Sequence, residues 1–132
     1  MDRLHERLSL VRRALENLQD LAVRTSVSAV ERDAAIQRFE YTFEAVWKTA
    51  QLFLREREGL DLGSPKAVLR AAFRVGLVDD TDLRCALDMA DDRNRTVHTY
   101  NEAVAQAIFA RLAEYARTVD RMLTEMQRRA GS

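Results

Sequence analysis

Cysteine, proline and glycine are scarce in this 132-residue chain, which has one, one and four of them respectively. A lone Cys85 excludes an internal disulfide and suits a reducing cytosol. Set among apolar neighbours, it reads as a core residue. So few turn residues argue against a β sandwich and favour helices. An excess of charge of one sign is missing too: 21 basic residues balance 21 acidic ones, for a formal net charge of zero. The chain therefore lacks the overall basic field of a dedicated duplex-DNA binder, although a local basic site stays open. Long hydrophobic runs are also absent. The opening stretch MDRLHERLSLVRRALENL mixes charges into its apolar positions and reads as neither a signal peptide nor a membrane span, and no other stretch reaches membrane length. The expected location is the cytoplasm, with no membrane partner and no specific DNA. There is no phosphate-cradling glycine loop, no paired cysteine and no histidine pair at zinc spacing, so neither a metal nor a cofactor is expected.

What is present is apolar and charged in a helical rhythm. Hydrophobic residues make up 47% of the chain and charged residues 32%, and the length matches a single domain, residues 1–132, with one core. Leu4, Leu8, Val11, Leu15, Leu18 and Val23 follow the three-and-four spacing of an amphipathic helix over roughly residues 2–24. Ser28 with Glu31 three residues on forms a capping box, so a second helix should start near Ala29. This second helix is the most aromatic, with a broad face of Ile36, Phe39, Phe43, Val46, Trp47, Ala50 and Phe53, and it ends at Arg55 to Gly59. Ser64-Pro65 opens a shorter third helix that reaches Gly76. Asp79, Asp80 and Thr81 open a fourth, which continues into Asp91-Asp92-Arg93 and breaks near Thr99 to Asn101. Asn101 caps a last helix running to about Arg129. The expectation is an all-α protein, a bundle of about five helices. The breadth of the second helix's apolar face suggests a homodimer, unless the core of one chain absorbs it.

Almost all the positive charge is arginine, since Lys48 and Lys66 are the only lysines. A guanidinium fork suits phosphate or carboxylate partners, though an arginine bias also follows from genomic composition. His5 stands alone near the N-terminus and reads as a surface residue. His98 has company: Arg93, Asn94, Arg95, His98 and Tyr100 place two cations, an amide, an imidazole and a phenol at a helix end. Imidazole moves protons near neutrality, and a guanidinium holds phosphate bidentately as its charge develops. Together they suffice for metal-free RNA cleavage, with His98 serving the 2′-hydroxyl attack or the leaving oxygen and Arg93 the phosphorane. Five residues turn about 500° along a helix, which leaves Arg93 and His98 roughly 140° apart around its axis. Either the helix ends before His98, or a two-fold axis assembles the site from two copies. Spacing alone also permits a solvated, salt-bridged helix end made of Asp91, Asp92, Arg93 and Arg95.

Arg93, Asn94, His98 and Tyr100 match the R-N-x3-H-x-Y form of the R-x4-H signature, and in this the chain resembles HEPN domains. QRFEYTFEAVWKTAQLFL (Gln37 to Leu54), SPKAVLRAAFRVGLVDD (Ser64 to Asp80) and DRNRTVHTYNEAVAQAIF (Asp92 to Phe109) are similar, in order, to the nucleotidyltransferase substrate-binding subfamily. Phe39, Glu40, Phe43, Glu44, Trp47 and Lys48 also fit its pattern, the aromatics as core. Glu40, Glu44 and Lys48 are spaced for i,i+4 pairs beside that aromatic stripe, where polar residues could also line a cleft. The resemblance implies an up-and-down helical bundle with a four-helix core that forms a homodimer, paired with a separately encoded minimal nucleotidyltransferase (MNT). In related toxins the Arg and His support metal-independent RNase activity on an RNA substrate, and the motif Tyr accepts AMP from the partner. Carried over by position, Arg93 and His98 become the catalytic candidates, Asn94 a positioning residue and Tyr100 the AMP acceptor. A non-catalytic subunit that presents substrate to the transferase is the alternative role the resemblance implies.

Overall fold

The computed structural model describes residues 2–131, and its helices begin where short polar side chains take up unpaired backbone amides. Helix α1 spans Arg3–Ala22, with the Asp2 carboxylate accepting from the His5 amide at 2.9 Å. Helix α2, Ala29–Glu58, carries the expected capping box: Ser28 accepts from the Glu31 amide and Glu31 from the Ser28 amide. It stops at Gly59, whose φ of 67° is the left-handed conformation that glycine adopts without strain. Helix α3 is Pro65–Arg74, capped by Ser64; α4 is Asp80–Arg95, capped by Asp79; α5 is Glu102–Ala130, capped by Asn101. A single 3-10 turn, Thr96–His98, follows α4. There are five α-helices and no strand among the described residues.

Two boundaries differ from expectation. Helix α1 ends short of residue 24, because the chain turns off where Arg24 N–H bonds back to the Leu21 carbonyl, and Val23 is left 69% exposed rather than on the core face. Helix α4 ends at Arg95, before the break expected near Thr99. There the Thr96 hydroxyl donates to the Arg93 carbonyl at 2.7 Å and the chain tightens into the 3-10 turn.

Bonds between helices set their directions. Arg38 donates to the Asn17 carbonyl at 2.7 Å and Arg24 pairs with Glu31 at 2.7 Å, so α1 and α2 are antiparallel. Arg32 meets Glu102 at 2.6 Å near one end, and Arg57 reaches the Ala130 carbonyl at 3.5 Å near the other, so α2 and α5 run parallel. Asp82 binds Arg121 and Asp92 binds Tyr115, which makes α4 antiparallel to α5. The four longer helices therefore alternate in direction along the chain, as an up-and-down bundle requires, while short α3 packs on α2 and α4.

The core joins Leu4, Leu15 and Leu18 of α1, Phe39, Phe43 and Phe53 of α2, and Leu112 and Tyr115 of α5. Phe39 stacks on the Tyr115 ring at a centroid distance of 5.5 Å. All the apolar residues of the broad α2 face, Trp47 included, are buried within this one chain. That breadth does not by itself call for a second copy. Cys85 is buried as expected, with its thiol pKa raised by desolvation. No helix among the described residues is long and apolar enough to cross a membrane.

Candidate functional site at the end of helix α4

The last turn of α4 is held by a buried carboxylate. Asp92, 3% exposed, accepts a hydrogen bond from the Tyr115 hydroxyl at 2.6 Å and from Arg95 Nε at 3.0 Å, with a second Arg95 nitrogen on the same oxygen as Nε. Burial raises the Tyr115 pKa, and the bond to Asp92 raises it further, so the phenol stays a proton donor throughout the physiological range. Arg111 lies over the Tyr115 ring, 4.7 Å from its centroid. Only part of the expected solvated helix end is therefore present. Asp91 is exposed and pairs with Lys66 at 2.7 Å, but Asp92 is a core anchor.

With Asp92 pinned to α5, the next residue faces α2. Arg93 Nε lies 3.5 Å from Glu44 Oε1, and the other oxygen of Glu44 lies 3.5 Å from Lys48 Nζ. Arg93 Nε is buried and makes no hydrogen bond, and its charge contact with Glu44 is long. Arg93 and Asn94 line a surface cleft with Phe43, Glu44, Pro65 and Lys66. The i,i+4 spacing of Glu44 and Lys48 in the sequence marked this pair; Arg93 as the third member was not legible, because it comes from a helix far along the chain.

His98 stands at the end of the 3-10 turn, exposed, with Nδ1 3.1 Å from the Tyr100 hydroxyl and the two rings edge to face. Tyr100 is 84% exposed. The helix thus ends before His98, the first of the two arrangements its spacing allowed. No hydrogen bond or ion pair joins His98 to Arg93, and the turn carries the imidazole toward Tyr100. His5 is half-exposed, as expected of a surface residue, and its ring contacts the Asp2 cap at 2.8 Å. No cluster of metal-ligating side chains occurs among the described residues.

Residues 6–128 match the family described as nucleotidyltransferase substrate binding protein like. The chain belongs to this family. A probable ribonuclease HepT from Haemophilus influenzae is 31% identical over 99 residues, a match covering 72% of this chain and 66% of that protein's length. A crystal structure of a Thermus thermophilus protein is 56% identical and superposes with a TM-score of 0.87, covering 89% of this chain and 98% of that one. A Haemophilus influenzae protein described as having the fold of a substrate binding domain of a nucleotidyltransferase gives a TM-score of 0.77 at 24% identity, covering 91% of this chain and 98% of that one. A tri-AMPylated Shewanella oneidensis HEPN toxin, in complex with an MNT antitoxin, gives 0.66 at 16% identity over 92% and 97%. At these last two identities the likeness is one of fold. Within the family fold, the R-x4-H residues of this chain fall on the last turn of α4 and the 3-10 turn after it.

Proposed function

We propose that this protein is the toxin half of a HEPN/MNT toxin–antitoxin pair: a homodimeric, metal-independent endoribonuclease of the cytoplasm, silenced when the partner nucleotidyltransferase adenylylates Tyr100. The observation that carries the reading is the exposed Tyr100 hydroxyl lying 3.1 Å from His98 Nδ1. An acceptor hydroxyl that touches the imidazole joins modification and catalysis at one point. The Tyr100 oxygen attacks the α-phosphorus of ATP, loses its proton and displaces pyrophosphate. Each AMP then sets a bulky anion against His98, excluding RNA by size and by charge. In the unmodified chain, His98 Nε2 serves the proton of the attacking 2′-hydroxyl or of the departing 5′-oxygen, Arg93 offsets the charge growing on phosphorus, and Asn94 positions the phosphate. Cleavage moves two protons and each chain offers one imidazole here, so a second copy supplies the other. Relatedness to a probable ribonuclease HepT and a fold shared with an AMPylated toxin support this assignment.

The second reading, a non-catalytic subunit that presents substrate to a nucleotidyltransferase, is favoured by the Arg93 to Glu44 contact and by the lack of any link between Arg93 and His98 within one chain. Growth of a host expressing the chain with and without its neighbouring nucleotidyltransferase, together with intact mass of the purified protein, separates the two. The toxin reading expects arrest by the chain alone, relief in His98→Ala and Arg93→Ala, and AMP-sized mass steps with the partner that vanish in Tyr100→Phe. Healthy growth throughout with an unmodified mass sinks it in favour of the binding subunit.

A further inference from the structure

Surface depressions run together along the outer face of α1 and α2. One is lined by Arg3, Arg7, Lys48, Gln51, Arg55 and Asp61. The next shares Arg7 and Lys48 and adds Leu10, Tyr41 and Glu44, and a third continues from Tyr41 to Arg38 and Asn17. Glu44 also lines the Arg93 cleft, so this groove and the candidate site share a wall. Many arginines of this electrically neutral chain are tied to carboxylates, among them Arg12, Arg24, Arg32 and Arg121. Arg3, Arg7 and Arg55 have no such partner among the described residues. Two carboxylates line the groove: Asp61 at one end, and Glu44, already held between Lys48 and Arg93. Tyr41 stands in the middle, 63% exposed, where a large aromatic side chain has no core to fill.

Unpaired cations spaced along a groove with an exposed ring among them are what a single-stranded polyanion with flat bases requires. From Arg38 to Arg55 the face extends about 26 Å along α2, room for several nucleotides. A second copy of this chain fits the groove less well, because a two-fold axis through it would set these cations against their own images. We propose that this face is the track that holds single-stranded RNA, with phosphates on Arg3, Arg7, Lys48 and Arg55, a base stacked on Tyr41, and the strand leading past Glu44 to Arg93. The choice of RNA as the polyanion rests on the nuclease reading above.

The test uses the full chain carrying His98→Ala to prevent turnover, a labelled oligouridine as probe, and anisotropy titrations at several salt concentrations. Arg7→Gln with Arg55→Gln is expected to weaken binding about ten-fold and to make the slope of log K against log salt shallower by about 1.4, two phosphates at roughly 0.7 each. Tyr41→Ala should weaken binding about ten-fold at an unchanged slope, and Tyr41→Phe should restore it. No binding by the parent chain, or unchanged affinity and slope in these variants, overturns the proposal. So does a change of oligomeric state in the variants with RNA binding intact, which would assign the face to a second copy. A chain with His98 intact that binds through this groove but leaves RNA whole sinks the nuclease reading and keeps the track. Cleavage whose KM is indifferent to the groove variants does the reverse.

Discussion

Asp92 is one letter in an acidic and basic run, and its neighbours in space decide its role. A carboxylate with 3% exposure is tolerable only when its oxygens are well bonded, and here a phenol and a guanidinium do that. The consequence for Arg93 is geometric: with the preceding side chain locked inward, Arg93 is turned toward Glu44. Tyr115→Phe removes the buried donor while keeping the ring that stacks on Phe39. We expect it to destabilise the fold by about 1–3 kcal/mol, the cost of an unsatisfied buried acceptor, read as a shift of the urea unfolding midpoint; an unchanged midpoint would mean that Arg95 alone satisfies Asp92. At this scale the expectation for Arg93, Asn94, His98 and Tyr100 came from their residue types and the motif they match; the structure sets His98 against Tyr100 and Arg93 against Glu44. Asp92 as an anchor and Glu44 as the partner of Arg93 were not legible, because neither burial nor a contact across helices is written in local sequence.

Among the elements, the starts of helices were more legible than their ends. A cap needs only a side-chain oxygen within reach of an amide two or three residues on, which is a local pattern, and Ser28, Ser64 and Asn101 all act as expected. Replacing Ser28 with Ala should cost about 1 kcal/mol, measured by chemical denaturation. An effect near zero would mean that Glu31 and solvent suffice for the first turn of α2. Helix ends depend on competition between the next helical bond and tertiary packing. The end of α4 at Arg95 is decided by the Thr96 hydroxyl turning back onto Arg93, together with the Asp92 anchor, and this places His98 on a 3-10 turn beside Tyr100.

The whole molecule carries a surface web of ion pairs that titrates in acid. Glu125, bonded by Arg128 and Arg129, has its pKa pushed down to about 2; those of Asp2 and Glu31 are lowered first by the backbone amides of His5 and Ser28, and that of Glu102 by Arg32. A carboxylate with a depressed folded-state pKa contributes stability that is fully present above its unfolded value, about 4.5 for Glu125, and is lost as pH falls through the folded value. The stability difference between the parent chain and Glu125→Gln should therefore hold above about pH 5 and shrink toward pH 2. A difference that stays constant across thermal melts in that window would show that packing, not charge, is what the substitution disturbs.

The all-helical class and the five segments follow from the sequence by itself. Each is set by near neighbours in the chain, through apolar spacing and caps. Only the tertiary structure decided that the broad face of α2 is satisfied within one chain, that Asp92 lies inside, that Glu44 bridges Lys48 and Arg93, and that unpaired cations gather along the α1–α2 groove. These are relations between residues that the sequence sets apart. They exist only once packing has chosen which helix faces which, and burial has fixed which charges must find partners and which can remain free.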